Sequence, residues 1–194
     1  MKTVKATLAL AMLACVLLGA TAAFGSSATP TAGTIHVFAV QQGLSRNSAI
    51  VITGAIGDYG KTFSIDKNGT TDPNGKYLKV VLQDGTFEAN TVALGKKLGQ
   101  ARPTIYGTTC SGQFVGRSPV ALFNGTGRYA GITGSVNMTV TGAYVLPRYK
   151  SGEKMGQCNT NAEPIGVYTS NTGSGKVRFS YGSHPPSRES ARGN

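Results

Sequence analysis

Between Ile132 and Val140 every second residue is apolar or glycine: Ile132, Gly134, Val136, Met138 and Val140. The residues that alternate with them, Thr133, Ser135, Asn137, Thr139 and Thr141, are all small and polar. Successive side chains of a strand point to opposite faces, so this run has one dry face and one wet face. A 3.6-residue period would scatter both sets around a helix. The pattern therefore predicts a half-buried antiparallel strand. The same period recurs along the chain. Ile35, Val37 and Ala39 alternate with His36, Phe38 and Val40, a strand apolar on both faces. Ile50, Ile52, Gly54 and Ile56 share a face, as do Leu78, Val80 and Leu82. Phe87, Ala89, Thr91 and Ala93 form a further row, and Val177, Phe179 and Tyr181 close the series.

Turn sequences separate these rows: Lys67-Asn68-Gly69, Asp72-Pro73-Asn74-Gly75, Asp84-Gly85 and Asn124-Gly125. Asn-Gly and Asp-Gly supply the positive φ that tight hairpins need. The clearest hairpin is Gln83-Asp84-Gly85-Thr86, set between two alternating runs. The chain holds 27 glycines and no tryptophan. Glycine at that frequency suits many turns and opposes helices, where each interior Gly costs about 1 kcal/mol against Ala. One short helical turn is expected near Thr91 to Leu98. Seven or eight short strands with regular turns imply a closed or sandwiched sheet. Gly54 and Gly134, inside strands, mark bends that help a sheet close. The expected fold is all-β, a single antiparallel β-barrel of about 7–8 short strands, preceded by a cleavable signal peptide.

That signal peptide is read at residues 1–23. Lys2 and Lys5 precede an uncharged, mostly apolar run from Ala6 to Ala20, and the small residues Thr21, Ala22 and Ala23 follow. This is the order of a secretory signal, with cleavage after Ala22 or Ala23. The run is short for a membrane span, which needs about 20 residues. Met12-Leu13-Ala14-Cys15 loosely matches a lipoprotein signal, but Val16, Leu17 and Leu18 carry the apolar run past the cysteine that should end it. Residues 24–33 read as a flexible lead-in and 182–194, with Pro185-Pro186 and little apolar content, as a disordered tail. The domain is then 34–181. The expected location is secreted or extracellular, with no membrane span in the mature chain.

Export removes Cys15 and leaves Cys110 and Cys158, an even pair in an oxidising compartment and so a disulfide. A metal site is disfavoured, because two isolated Cys lack His partners and His36 and His184 are the only histidines. The formal charge of +11 falls by two when Lys2 and Lys5 leave. The basic residues are scattered, with Lys96-Lys97 the only adjacent pair, and no aromatic-interleaved basic stripe appears. No nucleic-acid partner is therefore expected; weak contact with an anionic cell surface is.

The segment Asn124-Gly125-Thr126-Gly127-Arg128-Tyr129-Ala130-Gly131-Ile132-Thr133-Gly134 resembles the G-T/S-G-x-[FY]-x-G-x-x-G stretch of the allene oxide cyclase-like and dirigent-like β-barrels. The likeness spans Leu122 to Thr141, and the whole chain resembles the small secreted actinobacterial proteins that carry this barrel. The resemblance implies a barrel in which this segment joins two strands. It also implies an apolar cavity in which a cofactor-free rearrangement of a fatty-acid epoxide, or the coupling of phenolic radicals, takes place. The family's polar cavity residues have no residue-by-residue match here. The spacing of Gly125, Gly127 and Gly131 is one residue too long for a dinucleotide fingerprint, and no helix follows to receive a phosphate.

The candidate catalytic residues are few. Asp58 continues the face of Ile52, Gly54 and Ile56 and is placed at a barrel mouth beside Tyr59, where an apolar setting would raise its pKa and let it move a proton. Glu88 is the other acid within a strand. Tyr59 and Tyr129 are candidate ligand-binding residues. The structural reading of each carboxylate is a solvated strand residue. No nucleophile elbow accompanies His36. The Thr133–Thr141 polar row suits a flat polymer but also an ordinary exposed sheet face. Asn68, Asn124 and Asn137 match the glycosylation pattern, or are turn and strand residues if the source is bacterial. Two functions stay open: a non-catalytic binder of a small apolar ligand or cell-surface component, and a cofactor-free isomerase, cyclase or coupling guide. A wide, apolar barrel interior with one or two convergent polar groups supports ligand binding or catalysis, and an interior filled by side chains supports a purely structural or surface role.

Overall fold

The computed structural model describes residues 32–43 and 47–180. The segments read as signal peptide and tail lie outside the described residues. Nine strands and one helix follow in order: β1 (Ala32–Gln42), β2 (Ser48–Gly54), β3 (Asp58–Ile65), β4 (Tyr77–Leu82), β5 (Thr86–Asn90), α1 (Val92–Gln100), β6 (Thr104–Tyr106), β7 (Ser111–Phe123), β8 (Thr133–Val145) and β9 (Gly166–Arg178). β1 starts two residues inside the segment read as a lead-in. All strand pairs are antiparallel, in the order β5-β4-β3-β2-β1-β9-β8-β7-β6, and β5 also pairs with β7. That last pairing closes eight strands into a barrel and leaves β6 as an extra strand.

The alternation seen in the sequence is the alternation between the inside and the outside of this barrel. Ile35, Val37 and Ala39 of β1 are buried, while Phe38 and Val40 face out. In β8, Ile132 just before the strand, Val136 and Val140 are buried, and Thr133, Ser135 and Asn137 are exposed. The expected hairpin at Gln83–Thr86 joins β4 to β5, with the Leu82 N–H donating to the Gly85 carbonyl. The helical turn expected near 91–98 is the nine-residue α1.

One stretch of barrel wall is made differently. β7 gives the same edge to two strands: Ala121–Phe123 pairs with β5 and Ser111–Gln113 pairs with β6. Between those pairings α1 lies against β7. Leu94 is buried and Leu98 rests on Gly116, where a Cβ would come within 2.4 Å of the leucine methyl. The helix thus covers an interval that no strand covers.

One end of the barrel is closed by the segment between β7 and β8. A single 3-10 turn at Gly127–Tyr129 places the Tyr129 ring inside, 1% exposed, against Phe87 and Phe179. Glycine is needed at two points of this segment. Gly127 has φ +58°, and a Cβ at Gly125 would fall 1.8 Å from the Tyr129 carbonyl oxygen. Near the other end Cys110, just before β7, is bonded to Cys158 in the β8–β9 connection. Arg148 reinforces that link by donating to the carbonyls of Thr108 and Gly156.

Candidate functional site

The barrel is not filled by its own side chains. It holds a cavity of about 900 Å³, within the range of pockets that bury a small organic ligand. Its chemistry is graded along the barrel axis on the inner faces of β1, β2, β4, β5 and β9, while β8 stays apolar through Val136, Met138 and Val140. β1 runs from Ile35 through Val37 and Ala39 to Gln41, and its partner β2 matches it with Ile52, Ile50 and Ser48. β4 runs from Leu82 through Val80 and Leu78, and the next inward position is Lys76. β5 runs from Phe87 through Ala89 to Thr91. β9 presents Gly175 and Gly173, then Asn171 and Thr169. The apolar positions lie toward the Tyr129 end and the polar ones toward the other. At the polar end the lining includes the exposed residues Pro73, Lys76, Val92 and Lys96, so the cavity communicates with solvent there.

The lining contains aliphatic and aromatic groups, hydroxyls, side-chain amides and two lysines, and no Asp, Glu, His, Cys or Tyr. Among the described residues no group of three His, Cys, Asp or Glu could hold a metal ion.

Asp58, Tyr59, Glu88 and Tyr129 all lie outside that lining. Asp58 pairs with Ile52 across the β2–β3 ladder, so it does share the inward face, but at the closed end. It is buried, and its carboxylate is fully engaged. One oxygen accepts from the N–H groups of Tyr59 (2.6 Å) and Gln83 (3.4 Å). The other accepts from the Asp84 N–H (3.1 Å) and the Tyr129 hydroxyl (2.5 Å). Burial pushes the carboxyl pKa up, but the bonds from Tyr129, Asp84, Tyr59 and Gln83 outweigh it, and the net shift is downward from 3.8. This is the reverse of the raised value expected for an apolar mouth, because that expectation left the donors out. The same contact, with burial as the larger cause, raises the Tyr129 hydroxyl above its ordinary value. The pair is a brace joining three turns: β2–β3, β4–β5 and β7–β8.

Tyr59 projects outward and is 60% exposed. Glu88 also faces outward, opposite Lys79, and accepts from the Asn124 amide. What sequence reasoning missed is the polar end of the cavity. Gln41, Ser48, Lys76, Thr91, Thr169 and Asn171 are each unremarkable in sequence, and only the strand register gathers them.

Comparison with family models, with curated proteins and with solved structures gives no match.

Proposed function

We propose that this protein is exported and acts as a non-catalytic carrier, holding one small apolar molecule inside its barrel. The observation that carries this reading is the cavity of about 900 Å³ with aliphatic and aromatic walls and access at one end. Hydrophobic transfer supplies roughly 25 cal/mol per Å² of apolar surface removed from water, enough for useful affinity without a charged anchor. Binding is favoured over turnover because the lining offers no carboxylate or imidazole to move a proton. The signal pattern at residues 1–23 and the Cys110–Cys158 disulfide support export.

Mass spectrometry of the natively purified protein tests the reading. It should detect apolar molecules released on denaturation. An Ala89→Phe variant, which fills the inward wall between Phe87 and Thr91, should carry markedly less while keeping its β-sheet circular dichroism. Finding no co-purifying molecule, together with no uptake of apolar dyes by the wild type, would exclude the carrier role.

A further inference from the structure

We infer that α1 is the movable part of the barrel wall, hinged at its first turn, and that ligand enters and leaves as the far end of the helix lifts from β7. This rests on the carrier reading and adds how the cavity is loaded. Strand pairing holds the rest of the wall shut. Only three residue pairs join β5 to β7, and β7 has no other partner on that edge until β6 meets it at Gln113. Across residues 114–120 that edge has no strand beside it. Pro119 stands in this interval, and a residue without an N–H suits an edge that no strand pairs with. α1 covers the interval instead. Leu94 and Leu98 of the helix line the cavity together with Phe114 and Val120 of β7, so lifting the helix opens the chamber directly.

The two ends of α1 are held differently. At its start, the Thr91 N–H and hydroxyl both donate to the Lys76 carbonyl, and the Val92 N–H donates to Asn90 Oδ1. Beyond that turn only Leu94 and Leu98 are withdrawn from solvent, and Leu98 rests on a glycine rather than between side chains. Lys96 and Lys97 form no ion pair among the described residues. The helix is also soft. Gly95 and Gly99 lie within its nine residues, and a Cβ at either would meet nothing within 4 Å. Close packing does not require these glycines, and each weakens a helix relative to alanine. Past Gln100 the chain runs through Ala101, Arg102 and Pro103 to β6, whose three residues are all exposed. A segment with so few buried contacts opens locally while the strands stay paired. Val92 and Lys96 already stand at the opening to solvent, so the motion widens an existing mouth.

The test is stopped-flow uptake of the neutral dye N-phenyl-1-naphthylamine. A Cβ at Gly116 lies 3.8 Å from the Leu98 Cα, within reach of a disulfide. Leu98→Cys/Gly116→Cys, oxidised and with its pairing confirmed by peptide mapping, ties the helix to β7. Leu98→Ser/Gly116→Ser has similar bulk and no bond. The cross-linked form should take up and release the dye about tenfold more slowly than the serine form, with the same dissociation constant. Equal association rates in the two overturn the inference and leave the carrier reading standing. Native-state hydrogen exchange on the wild type needs no variant. The amides of residues 96–100 should exchange about a hundredfold faster than those of β8, and protection equal to that of β8 overturns the inference as well. Failure of every form, wild type included, to bind the dye sinks the carrier reading itself.

Discussion

At the scale of single residues, the side chains that looked most chemical turn out to hold the barrel end together. Asp58 receives four hydrogen bonds and Tyr129 supplies one of them from inside the apolar floor. Bonds to a charged acceptor contribute roughly 1.5–3 kcal/mol each, and a buried donor left without its acceptor costs a similar amount. Tyr129→Phe should therefore lower stability by about 2 kcal/mol, and Asp58→Asn by at least as much. Both should leave the affinity for apolar probes unchanged, because neither side chain lines the cavity; loss of binding in a folded variant would contradict this placement. The pH dependence has a definite sign. The folded-state pKa of Asp58 is lowered from 3.8, so its contribution is complete above that value and is lost as pH falls below it toward the folded value. In acid titrations followed by circular dichroism, Asp58→Asn should show a shallower loss of stability below pH 4 than the wild type, measured in denaturant. Sequence parity brought Asp58 to the inward face but not to the correct end, since the end is set by the hairpin and by Tyr129, 71 residues away.

At the scale of elements, what was legible depended on what each strand faces. β5 and β8 alternate visibly because their inward positions are mostly apolar and their outward ones mostly polar, whereas β1, β2 and β4 are legible from their inward apolar rows alone, since Phe38, Val40, Val51 and Val81 make their outer faces partly apolar too. β3 escaped notice because its inward side chains are Asp58, Thr62 and Ser64 while Tyr59 and Phe63 point the other way. Most of β9 escaped for a related reason: Thr169, Asn171, Gly173 and Gly175 line the interior, and hydrophobic period-two contrast vanishes. The polar end of the cavity thus erased the signal by which its own strands are recognised. In β7 the inward positions Gly112 and Gly116 leave room for the side chains of Tyr144 and Leu98, with the same loss of contrast. Glycines in walls and in the helix should respond oppositely to substitution. A Cβ at Gly175 would meet the Ser135 carbonyl oxygen at 1.9 Å, so Gly175→Ala should destabilise the fold by at least about 2 kcal/mol. Gly95 in α1 has open space around it, and Gly95→Ala should add up to about 1 kcal/mol. Chemical denaturation of the two variants checks both signs.

At the scale of the whole molecule, the barrel class and the disulfide were readable from periodicity, turn chemistry and cysteine count. The cavity was not, because interior volume depends on how inward side chains from eight strands meet. The disulfide closes a loop spanning 48 residues, and on the chain-entropy model its removal costs about 4 kcal/mol. Cys110→Ser/Cys158→Ser should melt well below the wild type yet still bind apolar probes, since neither cysteine touches the cavity. The pairing of the first described strand with the last acts on a different axis, that of time. β1 lies along β9 from Ala32 opposite Arg178 to Gln42 opposite Tyr168. β1 precedes β9 in the chain and so must wait for the end of the domain before its second edge is satisfied. Until then β1 and β8 both present bare edges to whatever chain passes. Closure needs β9 on both of its edges, so a chain cut within β9 should stay an open sheet and aggregate, which light scattering of the truncated protein checks.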